Sequence, residues 1–128
     1  LHTEIYFKQW EKKRKSEAVS IWTLLKDYRN LGVLNANNKY AKSNFDLKNC
    51  RVIAIDEWSS WTGYTIHLAA GESSALNCNM DYDKTEGAEI LGKLRIGSII
   101  NLNSKVAGDQ VDIYTYSMTI RLENGKIW

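Results

Sequence analysis

Residues 47 to 58, LKNCRVIAIDEW, constrain the chain more than any other stretch. Apolar residues fall at both odd and even positions, so a strand formed here is apolar on both faces. That pattern predicts a long, bent, central strand. Four more runs have strand character. YTIHLAAG (64 to 71) alternates, with Tyr64, Ile66, Leu68 and Ala70 on one face and Thr65, His67 and Ala69 on the other. ALNCNMDY (75 to 82) turns Leu76, Cys78, Met80 and Tyr82 inward and Asn77, Asn79 and Asp81 outward. Gly71 to Ser74 make the turn between them. SIINLNSKV (98 to 106) is a fourth strand, AGDQ a turn, and VDIYTYSMTIRL (111 to 122) a fifth strand. Its inward face is Tyr114, Tyr116, Met118, Ile120 and Leu122. ENG (123 to 125) is a turn signal, after which KIW pairs back.

Helical patterns precede and interrupt these strands. Ser20 is an N-cap for a stripe of Ile21, Leu24, Leu25, Tyr28 and Leu31 or Leu34. Gly32 marks a break, with Ala36 and Tyr40 continuing a second helical piece. Residues 4 to 16 carry Ile5, Tyr6, Phe7 and Trp10, with helical spacing from Tyr6 to Trp10. The run Lys12, Lys13, Arg14, Lys15 follows. It reads as a solvated helix face, or more sharply as a basic arm near a membrane surface or nucleic acid. DKTEGAEILGKL (83 to 94) predicts a short helix with Ala88, Leu91 and Leu94 inward.

Five short strands cannot leave one sheet face wet when the first is apolar on both sides. Closure satisfies the pattern, and a helix between strands three and four plugging one end is the organisation of the OB-fold. The expected fold is therefore mainly β with helices: a five-stranded OB-fold Greek-key barrel preceded by an N-terminal helix. Residues 1 to 19 form a basic arm or helix, and residues 20 to 128 the barrel with its leading helix.

LLKDYRNLGVLNANNKYAKSNFDLKNCRVIAID resembles the entry to the bacterial tRNA_anti-like family of OB-fold proteins. There a helix ending in an Asn…Ala…Tyr pattern leads into the first barrel strand. Asn35 or Asn37, Ala36 and Tyr40 hold those places here. CRVIAI (50 to 55) lies where the family has Gly-x-Val-x-x-Ile, with Cys50 in place of the glycine. LGKLRIGSIINLNSKVAG is similar to its approach to strand four, and the resemblance spans about residues 20 to 122. The resemblance implies a barrel and, for many members, the cell envelope, with no established ligand.

The 128 residues carry a net charge of +2, which does not by itself imply nucleic acid. Residues 1 to 48 hold ten Lys/Arg against five Asp/Glu, and the remainder seven against ten. No run of 18 apolar residues and no signal peptide is visible. The chain begins at Leu1 rather than Met, so an upstream anchor near a membrane stays compatible with it. Cys50 and Cys78 are small buried hydrophobes or a single disulfide. No cofactor or metal is expected: two Cys and two His show no ligand spacing.

OB-folds bind along strands two and three and the loops between strands one and two and between four and five. Here those places are Thr65, His67, Asn77, Asn79 and Asp81, with loops 57 to 63 and 104 to 110. Trp58, Trp61 and Tyr64 supply aromatics; the tryptophans cap the barrel mouth or pack against the N-terminal helix, or else anchor a partner. His67 is a surface histidine or a pH-sensitive contact. Lys105, balanced by Asp109, is the cation of the second loop. No G-x-S-x-G, H-E-x-x-H, P-loop or C-x-x-C occurs, and Arg51, Arg95 and Arg121 are scattered. The expectation is a non-catalytic module binding an unknown protein partner. Single-stranded nucleic acid, held by the basic arm and the barrel, is the alternative.

Overall fold

The computed structural model describes residues 2–57, 63–69, 74–81, 92–114 and 119–128, with side chains for all of these except 2–4 and 74–81. It is a mixed helix and sheet structure. Helix α1 (His2–Glu17) leads through a two-residue strand β1 (Val19–Ser20) to α2 (Ile21–Leu31) and α3 (Val33–Tyr40). The long strands are β2 (Phe45–Glu57), β3 (Gly63–Ala69), β4 (Ser74–Asp81), β5 (Ile99–Asp112) and β6 (Thr119–Ile127). Of the helix predicted at 83 to 94, residues 92–94 lie in the described part: 92 and 93 are helical, and Leu94 is buried as expected. Its remaining residues, including Ala88 and Leu91, lie outside it.

The sequence explains the helix breaks. Ser20 Oγ accepts from Thr23 N at 3.2 Å, closing the first turn of α2. Gly32, at φ 80°, adopts a backbone that side-chain-bearing residues rarely reach, and it separates α2 from α3. Ile21, Leu24, Leu25 and Tyr28 are buried as their spacing predicts. Leu31 and Leu34 are not; Leu34 is 83% exposed, because the kink at Gly32 turns the stripe away from the core.

Strand β2 pairs antiparallel with β3 along its second half and with β5 along its first, and in parallel with β1. β3 pairs with β4, β4 in parallel with β6, and β6 with β5. Each long strand thus has two long neighbours. Leu47, Cys50 and Val52 from β2, Ile66 and Leu68 from β3, Leu102 and Val106 from β5, and Ile120 and Leu122 from β6 form one core with Leu24, Tyr28, Ala36 and Tyr40.

Bulges account for the two-faced apolar pattern of β2. Leu47 pairs with Leu102 and Cys50 with Ile100, so two residues, Lys48 and Asn49, oppose one. Asn49 takes φ 55°, and its N–H donates to Asn101 Oδ1 at 3.1 Å. The inward parity therefore switches from odd at Leu47 to even at Cys50 and Val52. A second shift around Ile53 switches it back toward Ile55, which packs on the core.

Two predicted turns are bulges as well. AGDQ lies inside β5, which runs unbroken to Asp112, and ENG lies inside β6. Val106 pairs with Leu122 and Val111 with Ile120, so Ala107 to Gln110 all oppose Arg121. Asn124, at φ 55°, supplies the left-handed backbone that the shift in β6 needs. The fifth strand accordingly starts at Thr119 rather than at 111, and Tyr114, expected inward, is 82% exposed. Tyr116 and Met118 lie outside the described residues. Cys50 is a free, buried thiol whose burial pushes its pKa up to about 12; it forms no disulfide.

Candidate functional site

The bulge in β5 is fixed from behind by the helices. Tyr28 Oη donates to Asn37 Oδ1 at 2.8 Å, and Asn37 Nδ2 donates to Gly108 O at 3.1 Å. A Cβ on Gly108 would meet Asn37 Nδ2 at 2.9 Å and Cγ at 3.2 Å, so only glycine admits this approach without displacement. Tyr40 Oη donates to Asp27 Oδ2, and Lys39 Nζ reaches the same oxygen at 3.0 Å. Those two donors hold the Asp27 carboxyl below the usual carboxylate range, while burial holds both tyrosine hydroxyls above the usual phenol range. Of the two asparagines that the family resemblance could match, Asn37 makes this clamp. Asn35 only bonds back to Leu31 O within the helices.

On the open side the bulge widens the seam between β5 and β6 into a cleft of about 280 Å³, lined by Asp109, Gln110, Val111, Asp112, Thr119 and Arg121. Asp109 and Gln110 are exposed. Asp112 Oδ1 accepts from Tyr114 N at 3.0 Å, a turn-forming bond, and Tyr114, two residues beyond the lining, is exposed. Carboxylates, an amide, a hydroxyl and one guanidinium make a surface of many acceptors beside an aromatic. The sequence reading missed the cleft because it placed the loop at 104 to 110, and the chain leaves the sheet only after Asp112.

The predicted residues are placed as follows. His67 is partly exposed on β3, and its Nε2 lies 2.6 Å from Asp56 Oδ2, an ion pair when the ring is protonated. Tyr64, proposed as a binding aromatic, is fully buried in the core and offers a partner no surface. Asn77 pairs in register with His67, and Asn79 with Thr65. Lys105 is not a loop cation. It sits in β5 opposite Glu123, with Nζ 3.5 Å from Glu123 Oε1, and Glu123 takes the partner role expected of Asp109. Trp58 and Trp61 lie outside the described residues.

The basic run lies on α1, where Lys12, Lys13 and Lys15 are exposed. Arg14 departs from the expected solvated arm. Its Nε and Nη2 donate to the two Asp46 carboxylate oxygens at 2.7 and 2.8 Å, and its guanidinium lies 4.1 Å from the Trp128 ring centroid. Asn103 Nδ2 adds a third donor to Asp46 at 2.8 Å. The Arg14 guanidinium, ahead of Asn103, holds the Asp46 carboxyl below its ordinary range. The arm is therefore tied to the sheet through β2 and the C-terminal residue.

A second cleft, of about 350 Å³, runs along α2 beside Trp22, Thr23, Leu25, Lys26, Arg29 and Asn30. Trp22 is two-thirds exposed, and it shares a helix face with Lys26 and Arg29 at i, i+4 and i+7. No group of three metal-ligating side chains occurs among the described residues, and no described helix is long and apolar enough to cross a membrane. No protein-family model matches the chain, nor does any curated protein.

Proposed function

We propose that the chain is a non-catalytic binding module on an OB-type barrel, and that it takes a cationic segment of a protein partner at the β5 bulge. The barrel reading is supported by the pairings: β2 has β3 on one side and β5 on the other, and β5 leads through β6 and β4 back to β3. The tRNA_anti-like relationship is supported by Ala36 and Tyr40, both buried, and by Asn37 at the junction where the helices enter the first long strand.

The observation that carries the function is the cleft itself. A four-residue bulge costs ladder hydrogen bonds and is held in place by the Asn37 clamp. Bulges of this kind re-aim side chains at rims and binding sites. Asp109 and Asp112 outnumber Arg121 there. Phosphate is disfavoured at such a surface, whereas backbone N–H groups and Lys or Arg side chains are matched by it.

Selection of a random twelve-residue peptide library on the protein tests the reading. Enriched peptides should be cationic and should lose at least tenfold in affinity to Asp109→Asn/Asp112→Asn and to Tyr114→Ala. Peptides that bind these variants as tightly as the parent would overturn it, as would no enrichment at all.

Trp22, Lys26 and Arg29 favour a second reading, because an aromatic beside two cations is the composition that holds single-stranded nucleic acid. Retention of a fluorescent oligonucleotide that falls steeply with salt, and is lost in Trp22→Ala, would support it.

A further inference from the structure

Helix α1 carries an apolar segment that is largely exposed among the described residues, with only the Arg14 guanidinium lying over Trp10. Ile5, Tyr6, Phe7 and Trp10 are each more than half exposed, and around the helix they spread over more than one face. Their polarity is ordered along the axis instead. Residues 5 to 10 hold these four side chains with one lysine, Lys8. Lys12, Lys13 and Lys15 follow, and then the attachment to the sheet through Arg14 and buried Ala18. Along α1 an aromatic stretch is thus followed by a cluster of lysines and then by the folded body.

We propose that this stretch docks into the interface of an anionic lipid bilayer, where helices bury their apolar side chains roughly 5–10 Å deep. Tyr and Trp favour the headgroup level, where an apolar ring and a polar edge are both satisfied. The lysines that follow then meet the lipid phosphates. Charge complementarity selects the anionic surface: residues 1 to 16 hold five Lys/Arg against Glu4 and Glu11. The ion pairs Arg14–Asp46 and Lys39–Asp27 take up both aspartates of residues 1 to 48, which leaves eight Lys/Arg against three Glu in that region.

Vesicle co-flotation of the whole chain at 100 mM salt is the test. The protein should float with phosphatidylcholine:phosphatidylglycerol vesicles at 7:3 and not with phosphatidylcholine alone. Lys12→Gln/Lys13→Gln/Lys15→Gln should lower the partition coefficient by on the order of a hundredfold, since each basic residue near an anionic surface contributes roughly fivefold. Tyr6→Ser/Phe7→Ser/Trp10→Ser should abolish flotation while leaving the urea midpoint of the body unchanged, because these side chains are exposed. Three outcomes would overturn the proposal. They are no flotation with anionic vesicles, unchanged flotation of the aromatic variant, and tight binding of a single-stranded oligonucleotide without flotation, which would make α1 a nucleic-acid arm.

Discussion

Gly108→Ala probes the contact that builds the candidate site. Gly108 does not belong to the glycines with positive φ, which are Gly32 and Gly97 among the described residues, so alanine meets no backbone strain there. Its new Cβ would instead stand 2.9 Å from Asn37 Nδ2 and 3.2 Å from Asn37 Cγ. Asn37 has to move, and its movement breaks both the bond to Gly108 O and the bond from Tyr28 Oη. Each hydrogen bond is worth about 1 kcal/mol net, and a buried hydroxyl left without a partner costs about 1–3 kcal/mol. The expected loss is about 2–3 kcal/mol. Asn37→Ala removes the same two bonds and should cost a similar amount.

The two changes share one mechanism, so they should not add. In an Asn37→Ala background the clashing atoms are gone, and Gly108→Ala should then cost less than about 0.5 kcal/mol. A double-mutant cycle by urea denaturation should return a coupling of about 2 kcal/mol. Additivity within about 0.5 kcal/mol, the ordinary result for independent sites, would refute the clamp.

Other consequences follow from the charge pairs and the core. Arg14→Ala should release α1, so that trypsin cuts at Lys12, Lys13 or Lys15 at least tenfold faster while the body loses only about 1–2 kcal/mol, as suits a partly exposed pair. Asp27 and Asp46 have folded pKa values below the unfolded value of about 3.9. Their contribution is present above that value and is lost as pH falls through the folded ones, so Asp46→Asn should flatten the acid limb of a stability–pH curve between about pH 5 and 2. In a Cys78→Ser background, Cys50 should resist thiol-labelling reagents at pH 8 until the protein unfolds, since burial raises its pKa to about 12.

Alternation and helical spacing made much of the architecture legible. The α2 stripe, the break at Gly32 and the inward set Ile66, Leu68, Ile120 and Leu122 follow from period alone. Local signals misled where the chain uses them inside strands. Asn124-Gly125 and Gly108-Asp109 look like turns because left-handed or open backbone favours Asn and Gly, and a bulge asks for the same residues. Only pairing partners distinguish the two cases, and those are long-range. The apolar residues on both sides of residues 47 to 57 were likewise one inward face seen across two changes of parity. The cleft was invisible for the same reason, since it exists only because four residues of β5 face one of β6. Arg14 stood in a run of four cations, and nothing local marks it as the one that finds Asp46, 32 residues away.

Amide chemical-shift mapping of the whole chain, titrated with a peptide from the library selection, tests most directly whether the β5 bulge meets a partner. Saturable shifts should concentrate in residues 107–114 and 119–121 and be reduced at least tenfold in apparent affinity by Asp109→Asn/Asp112→Asn. Shifts confined to α1 or to the α2 face, with residues 107–114 unmoved, would contradict that role for the bulge.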